Sequence, residues 1–146
     1  MAYRGRFKPK FPKKYRGNPT SIIYRSLWER NCMIYFDGNP SILSWASEEV
    51  IVPYKSPIDG RWHRYFPDFV IHVKDKDDKK STIMIEVKPH AQTKSPKVQN
   101  RITKKYLYEV HTYSINIAKW KAAKEFCADK NWKFLILTEK EMSKWQ

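Results

Sequence analysis

Two apolar runs joined by a charged segment make up the stretch YFPDFVIHVKDKDDKKSTIMIEVK at residues 65–88. Each run has the length and composition of a β-strand, and the charged segment between them is typical of an exposed turn. If the runs pair antiparallel with Asp68 opposite Glu86, the turn is centred on Asp77, in the middle of the charged segment. The stretch therefore predicts a β-hairpin on which two carboxylates face each other.

Alternation along this hairpin sorts its side chains onto two faces. Asp68, Glu86 and Lys88 share one face. The other face is apolar and is expected to lie under a helix; it carries Phe69, Ile71, Val73, Ile83, Ile85 and Val87.

Opposed carboxylates repel each other, so the predicted hairpin needs a compensating cation. Mg²⁺ or Mn²⁺ would suit a site made of Asp68, Glu86 and the backbone carbonyl of Val87, because these ions prefer oxygen ligands. Such an ion binds a scissile phosphate and activates water, and a neighbouring lysine, here Lys88, assists catalysis. The pattern predicts metal-dependent phosphodiester hydrolysis; the alternative is a surface cluster of ion pairs worth about 0 to 1 kcal/mol.

Glu29 is a further candidate catalytic residue, lying within a helical pattern that begins at Thr20 or Ser21 and ends at Gly38. This helix is expected to cover part of the sheet, and Glu29 would bind a second metal or orient water. The strands of the hairpin are predicted at Arg61 to Val73 and Thr82 to Val87. The remaining elements are two further strand segments, two helices and a last strand, predicted at Ile42 to Ala46, Val50 to Tyr54, 96–110, 115–129 and Trp132 to Thr138.

Residues 1–19 differ from the rest of the chain because they hold seven basic residues and no acid. Pro9 and Pro12 oppose a helix, so an extended arm is predicted. Such an arm can follow a phosphate backbone while its rings, those of Tyr3, Phe7, Phe11 and Tyr15, stack on bases. The alternative is a solvated tail that aids solubility. The candidate DNA-binding residues of the arm are Arg4, Arg6, Lys8, Lys10, Lys13, Lys14 and Arg16.

A second basic group, made of Lys97, Arg101, Lys104 and Lys105, recurs at helical spacing after the hairpin and predicts a stripe that contacts phosphates. Lys119 and Lys121 are candidates to face the same groove. With 29 Lys and Arg against 15 Asp and Glu, the net charge of +14 favours a nucleic acid partner. No base-reading module is evident, so little sequence preference is expected.

Other features exclude several classes of protein. No apolar run is long enough to cross a membrane, and no signal peptide is recognisable, so an intracellular location is expected. Cys32 and Cys127 have neither disulfide nor zinc-site spacing and are predicted to be core residues. Three histidines flank the predicted site and either line its cleft or are satisfied elsewhere: His63, His72 and His90.

Pro67-Asp68 and Glu86-Val87-Lys88, with Glu29 upstream, resemble the motif of the PD-(D/E)xK nuclease superfamily. The segments YRSLWER at 24–30 and YFPDF at 65–69 resemble its TnsA-like branch, and the likeness covers Ser21 to about Glu139. The resemblance implies a restriction-endonuclease-like α/β core, with a mixed central sheet flanked by helices, and Mg²⁺-dependent DNA cleavage. It assigns Asp68 and Glu86 to the metal, Lys88 to catalysis and Glu29 to the helix acid of the superfamily.

The length of the chain, the opening MAYRGRFKPK at 1–10 and the order of the elements resemble phage members of that branch that act in head completion. It implies phage head and connector proteins as partners, a role in joining filled heads to tails and in trimming packaged DNA, and a location in the bacterial cytoplasm and the virion head. The expected organisation is the arm at 1–19 followed by one nuclease domain at 20–146. The alternatives are a non-catalytic DNA-binding virion protein that keeps the fold, and a nuclease acting on RNA or on branched DNA.

Overall fold

The structure is a computed structural model that describes residues 4–142. In chain order the helices and strands are β1 (Gly5–Arg6), β2 (Ile23–Tyr24), α1 (Leu27–Gly38), β3 (Ile42–Ser47), β4 (Val52–Lys55), β5 (Trp62–Tyr65), β6 (Phe69–Lys74), β7 (Lys80–Val87), α2 (Lys104–Asp129), β8 (Lys133–Leu137) and α3 (Glu139–Met142). Two short 3-10 turns lie between them, at Pro12–Lys14 and His90–Thr93. No helix in this part of the chain is long and apolar enough to span a membrane.

A mixed four-stranded sheet forms the centre of the fold, with the strand order β3-β6-β7-β8. β6 pairs antiparallel with both β3 and β7, whereas β8 runs parallel to β7. A parallel neighbour requires a crossover, and α2 makes it. β4 and β5 form a separate two-stranded sheet. The mixed sheet flanked by helices fits the predicted nuclease-like α/β core.

The β6–β7 hairpin has the register that its charged loop predicts. Phe69 lies opposite Ile85, and Lys74 lies opposite Lys80. The Asp75 Oδ1 atom accepts hydrogen bonds of 2.9 Å from the backbone N–H groups of Asp77 and of Lys79, which closes the turn. The turn centre at residue 77 is therefore confirmed.

The two faces of the sheet are covered by different helices. α1 packs Cys32, Met33 and Phe36 on the face that holds Phe69 and Ile71, together with the other apolar residues assigned to it. This confirms the predicted apolar face.

α2 covers the opposite face, where Trp120, Ala123 and Cys127 pack on Val70 and Met84. Cys32 and Cys127 are 0% and 1% exposed and have free thiols, as predicted. The carboxylate face of the hairpin thus lies on the α2 side of the sheet.

The first helix begins later than predicted, at Leu27 instead of Thr20 or Ser21. Ser26 caps it, since its Oγ atom accepts a 3.1 Å hydrogen bond from the Glu29 N–H. The preceding residues, Ile23 and Tyr24, pair with β1 of the arm instead. This pairing depends on a distant segment, which local helix periodicity does not register.

The predicted strand from Arg61 to Val73 is two strands, interrupted at 66–68. Pro67 is fully buried there and has no N–H to donate to a ladder, so the chain leaves one sheet and enters another at this point. The break places Asp68 immediately before β6.

The two predicted helices at 96–110 and 115–129 are wrong in their bounds, because one helix of 26 residues runs from Lys104 to Asp129. Thr103 starts it by accepting a 3.1 Å hydrogen bond from the Tyr106 N–H. Lys97 and Arg101 lie in the irregular segment before this cap and share no helix face with the other members of the predicted basic stripe.

The described part of the arm packs against the core. Phe7 and Tyr15 are 8% and 7% exposed, and their rings meet Trp45 edge to face at centroid distances of 5.8 and 4.8 Å. These two rings are buried, so the prediction that they stack on bases is wrong. Phe11 is 53% exposed, and Tyr3 lies outside the described residues.

Candidate active site

Asp68 and Glu86 meet at the end of the β6–β7 hairpin. The Asp68 Oδ2 atom accepts a 2.7 Å hydrogen bond from the Val87 N–H, which holds the Asp68 carboxyl within reach of Glu86. Glu86 is 5% exposed, and Asp68 is half-buried. The structure therefore brings together the two carboxylates that the register argument paired.

The electrostatics of this pair are unfavourable for two negative charges. Burial, and then the charge of the adjacent Glu86, raise the pKa of Asp68 well above its usual range. Within residues 4–142 the only salt bridges lie elsewhere, so no lysine or arginine nitrogen is within 4 Å of either carboxylate. The alternative to a metal site, a surface cluster of direct ion pairs with Lys88, is therefore absent from this part of the chain.

Two lysines lie near the pair without touching it. The Lys88 N–H donates a 2.9 Å hydrogen bond to the Leu137 carbonyl, which fixes this half-buried residue at the end of β7. Lys119, on α2, places its Nζ atom 5.6 Å from the centroid of the Tyr65 ring.

Burial foremost lowers the pKa of Lys119; Glu86 and Asp68 raise it, and Lys88 lowers it further. Lys119 therefore lies within electrostatic range of both carboxylates and of the second lysine. Lys121 is exposed. Of the two lysines proposed to face the groove, Lys119 is the one near the carboxylates.

Two donors hold Glu86 in place, and sequence reasoning missed both. The Tyr65 hydroxyl donates a 2.8 Å hydrogen bond to Glu86 Oε2, and the Trp120 Nε1–H donates to the same oxygen at 3.4 Å. Tyr65 lies in the YFPDF segment, so proximity in sequence could have indicated it. In the sequence, Trp120 has the pattern of a core residue, and only the packing of α2 reveals its hydrogen bond to Glu86.

Glu29 lies near the pair but does not complete a ligand cluster. Its Oε2 atom accepts a 2.9 Å hydrogen bond from the Arg25 N–H, so the side chain turns back over the start of α1. Burial, Glu48 and Glu86 raise its pKa, against the lowering effect of Arg25. Residues 4–142 contain no group of three or more His, Cys, Asp or Glu residues suited to a metal. A metal or water-orienting role for Glu29 remains a prediction.

The three histidines contact other partners. His63 Nε2 lies 2.8 Å from Asp59 Oδ2, and His72 Nδ1 lies 2.9 Å from Thr82 Oγ1. The His90 N–H donates to the Glu139 carboxylate. No contact joins any of them to the carboxylate pair.

The arm contributes exposed cations, with one exception. Lys14 Nζ donates to the carbonyls of Phe36, Asp37 and Asn39 at 2.9, 2.8 and 3.0 Å, so its donors are used within the protein. These contacts argue against its assignment to DNA binding. The exposed basic residues predicted to bind DNA are Arg4, Arg6, Lys8, Lys10, Lys13, Arg16, Lys97, Arg101, Lys104 and Lys105.

The pair fits a divalent cation. The buried carboxyl of Glu86 and the half-buried carboxyl of Asp68 lie within reach of each other, with no lysine or arginine nitrogen in contact among the described residues, and form an oxygen-rich site. Mg²⁺ suits two carboxylates because it keeps several of its waters. Asp68 and Glu86 are its candidate ligands, with the Val87 carbonyl as a third.

Comparisons with known proteins indicate a nuclease domain that contains the carboxylate pair. The family model for the TnsA-like endonuclease N terminal matches residues 39–139, which include Asp68, Glu86 and Lys88. The chain is also 39% identical over 143 residues to the head completion nuclease of Enterobacteria phage T4, covering 95% of this chain and 93% of that protein. No solved structure matches the chain at a significant level. The chain belongs to the TnsA-like endonuclease family, a branch of the PD-(D/E)xK nucleases.

Proposed function

We propose that the protein is a Mg²⁺-dependent or Mn²⁺-dependent deoxyribonuclease that hydrolyses DNA phosphodiester bonds with little sequence specificity. The observation that carries this proposal is the pair of Asp68 and Glu86, which no cation contacts among the described residues, with Lys119 in electrostatic range of both carboxylates and of Lys88. Like charges held together away from water lower the stability of the folded protein unless a bound ligand compensates them. A cation and a phosphodiester together make such a ligand.

The position of each residue in the candidate active site suggests its role in catalysis. Asp68, Glu86 and the Val87 carbonyl would hold the ion, which supplies Lewis-acid activation of a phosphate and of water. Lys88 and Lys119 would stabilise the negative charge that develops on the phosphate. Tyr65 would orient Glu86 through its hydrogen bond.

DNA would be held chiefly through its phosphates. The exposed cations of the arm and those around the start of α2 are spread over the surface, and the net charge is +14. Contacts to phosphates position DNA without reading its sequence. This distribution supports low specificity and a steep salt dependence of binding.

A place in phage assembly is part of the proposal. The relative from Enterobacteria phage T4 is a head completion nuclease, and it aligns over nearly the whole chain. We infer that this protein acts in head completion and head–tail joining, with trimming of packaged DNA as its chemical contribution. Phage head and connector proteins would be its partners, in the host cytoplasm and the virion head.

The test is cleavage of plasmid and linear DNA with Mg²⁺, Mn²⁺ or EDTA. Asp68→Ala and Lys88→Ala are expected to abolish cleavage, while Asp129→Ala, which removes an exposed carboxylate at the end of α2, is expected to cut like the parent. Absence of cleavage by the parent, or cutting by the two site variants, would contradict the proposal. A non-catalytic virion protein would complete heads equally well with Asp68→Ala. RNA and nicked, branched and single-stranded DNA, assayed in parallel, define the substrate class.

A further inference from the structure

The β4–β5 hairpin presents an apolar and cationic face to solvent. In its register Pro53 lies opposite Arg64, and Lys55 lies opposite Trp62. Alternation adds Ile51 and Phe66 at the base of the same face. We call these six residues the outer ribbon face: Ile51, Pro53, Lys55, Trp62, Arg64 and Phe66.

Three residues on the inner face of this hairpin pack on α2. Val52, Tyr54 and Tyr65 are buried against α2, where they pack with Trp120 and Ala123. The outer ribbon face has no such cover within residues 4–142: Trp62 is 70% exposed, Ile51 45% and Phe66 42%. An indole this exposed, with two further apolar neighbours, indicates a binding surface.

The charges on the hairpin favour a polyanionic occupant. Lys55 and Arg64 lie on the outer ribbon face, and Arg64 Cζ is 5.9 Å from the Phe66 ring centroid. The only acid between residues 51 and 66 is Asp59. Its carboxylate already accepts from the Arg61 N–H and contacts His63. A strand of nucleic acid matches this combination of rings and cations.

The outer ribbon face is also continuous with the candidate active site. Phe66 is followed by the buried Pro67 and then by Asp68, while Tyr65 on the inner face hydrogen-bonds Glu86. Trp62 precedes Asp68 by six residues, a reach of at most about 20 Å. That reach equals about six nucleotides at the 3.4 Å rise of one DNA strand.

Its chemistry suits unpaired bases better than a closed duplex. A ribbon that reads the major groove does so with polar side chains directed at base edges. The outer ribbon face offers rings and aliphatic groups with cations beside them. The flat indole of Trp62 can stack on a base only where that base is not already stacked on both sides.

We propose that the outer ribbon face binds unpaired nucleotides of the DNA substrate, with Trp62 stacking on a base and Lys55 and Arg64 contacting the flanking phosphates. The inference rests on DNA as the substrate class of the proposed function. It assigns the enzyme a preference for DNA with a single-stranded segment within about six nucleotides of the scissile phosphate.

The test measures binding without cleavage, in EDTA and in the Lys88→Ala background. Fluorescence anisotropy compares a blunt duplex, the same duplex with a six-nucleotide overhang, and that overhang built from abasic nucleotides. Trp62→Ala is expected to weaken binding to the overhang DNA roughly 5- to 100-fold, to leave blunt-duplex binding within about twofold, and to make the normal and abasic overhangs equivalent. Trp62→Phe retains most of the affinity for the overhang.

Ile34→Ala is the matched control, because Ile34 is 47% exposed on α1 and lies outside the hairpin. It is expected to bind all three DNAs like the parent. The inference is overturned if Trp62→Ala binds the overhang DNA unchanged, or loses equal affinity for all three DNAs. Because no divalent cation is present, these results are independent of whether plasmid cleavage succeeds, so failure of the nuclease proposal is recognised separately.

Discussion

The Tyr65 hydroxyl donates a 2.8 Å hydrogen bond to Glu86 Oε2, and this contact ties the β4–β5 hairpin to the carboxylate pair. Burial, followed by the charge of Glu86, raises the pKa of Tyr65, so its hydroxyl keeps its proton and stays a donor. The hairpin therefore helps to position the candidate metal ligand as well as displaying its outer face.

Tyr65→Phe is expected to weaken Mg²⁺ or Mn²⁺ affinity by about 10- to 100-fold, because Glu86 loses its shorter hydrogen bond and its fixed orientation. The measurement is the cation concentration that gives half-maximal DNA cleavage. Tyr54→Phe is the control, since Tyr54 is buried on the same hairpin and no hydrogen bond joins its hydroxyl to Glu86. Equal effects of the two variants would show that Tyr65 acts through packing alone.

Asp68→Asn is expected to stabilise the protein in the absence of metal while abolishing cleavage. The amide keeps an oxygen for the Val87 N–H, removes one of two facing charges and can donate to Glu86. A gain of about 1 kcal/mol is expected, equivalent to roughly 2–4 °C in Tm. Thermal unfolding in EDTA measures it, with Asp68→Ala as the comparison that leaves the Val87 N–H unpaired. A lower Tm for the Asn variant would mean that the facing carboxylates of Asp68 and Glu86 do not destabilise the metal-free protein.

The metal-free protein is expected to lose stability as the pH rises. The raised pKa of Asp68 means that the folded state holds a proton that the unfolded chain has released. Stability therefore falls from about pH 4, the ordinary Asp value, up to the raised pKa. Unfolding in EDTA at a series of pH values tests this, and Asp68→Asn is expected to flatten the dependence. Added Mn²⁺ is expected to raise Tm more at pH 8 than at pH 5, since protons compete with the ion.

Lys119→Met is expected to reduce cleavage at least tenfold, because Lys119 is half-buried and within electrostatic range of Asp68 and Glu86. Lys121→Met removes an equal charge from an exposed position on the same helix and is expected to have little effect. Rates at saturating DNA measure the difference. If both variants lose only DNA affinity, Lys119 contributes charge alone.

The sequence predicts interactions between neighbouring segments better than interactions between distant ones. The β6–β7 register follows from the loop between the strands, because a hairpin's turn and strands are neighbours in sequence and the charged residues can lie only in the turn. That register was enough to pair Asp68 with Glu86. The parity of the strands then assigned both faces correctly.

Interactions between distant segments were not predictable in this way. Tyr15 and Phe7 lie in a basic segment that contains prolines, which predicts an exposed arm. Their rings pack on Trp45 of β3 instead, and nothing within the arm indicates that partner. The start of α2 at Thr103 was also missed, because the periodicity of Lys97 and Arg101 resembles a helical stripe until the cap is known. The proximity of Lys119 to the carboxylates depends on how α2 packs on the sheet.

Two neighbouring lysines of the arm, Lys13 and Lys14, separate its structural role from its proposed role in DNA binding. Lys14 Nζ donates to three carbonyls at the end of α1 and lies near buried Asp37, whose Oδ1 has no hydrogen-bond partner within the described chain. Lys14→Met keeps the aliphatic stem but leaves these acceptors without the ammonium. A loss of about 2–3 kcal/mol in the free energy of unfolding is expected.

Lys13→Met is the matched control, because Lys13 is its exposed neighbour and carries the same charge. It is expected to unfold like the parent in a urea titration and to reduce the salt dependence of DNA binding by about one phosphate contact. Lys14→Met is expected to leave that salt dependence unchanged under conditions where it is folded, because its ammonium is already occupied by the carbonyls of α1. The reverse result, a stable Lys14→Met variant with a reduced salt dependence, would mean that the Lys14 side chain leaves α1 to bind DNA.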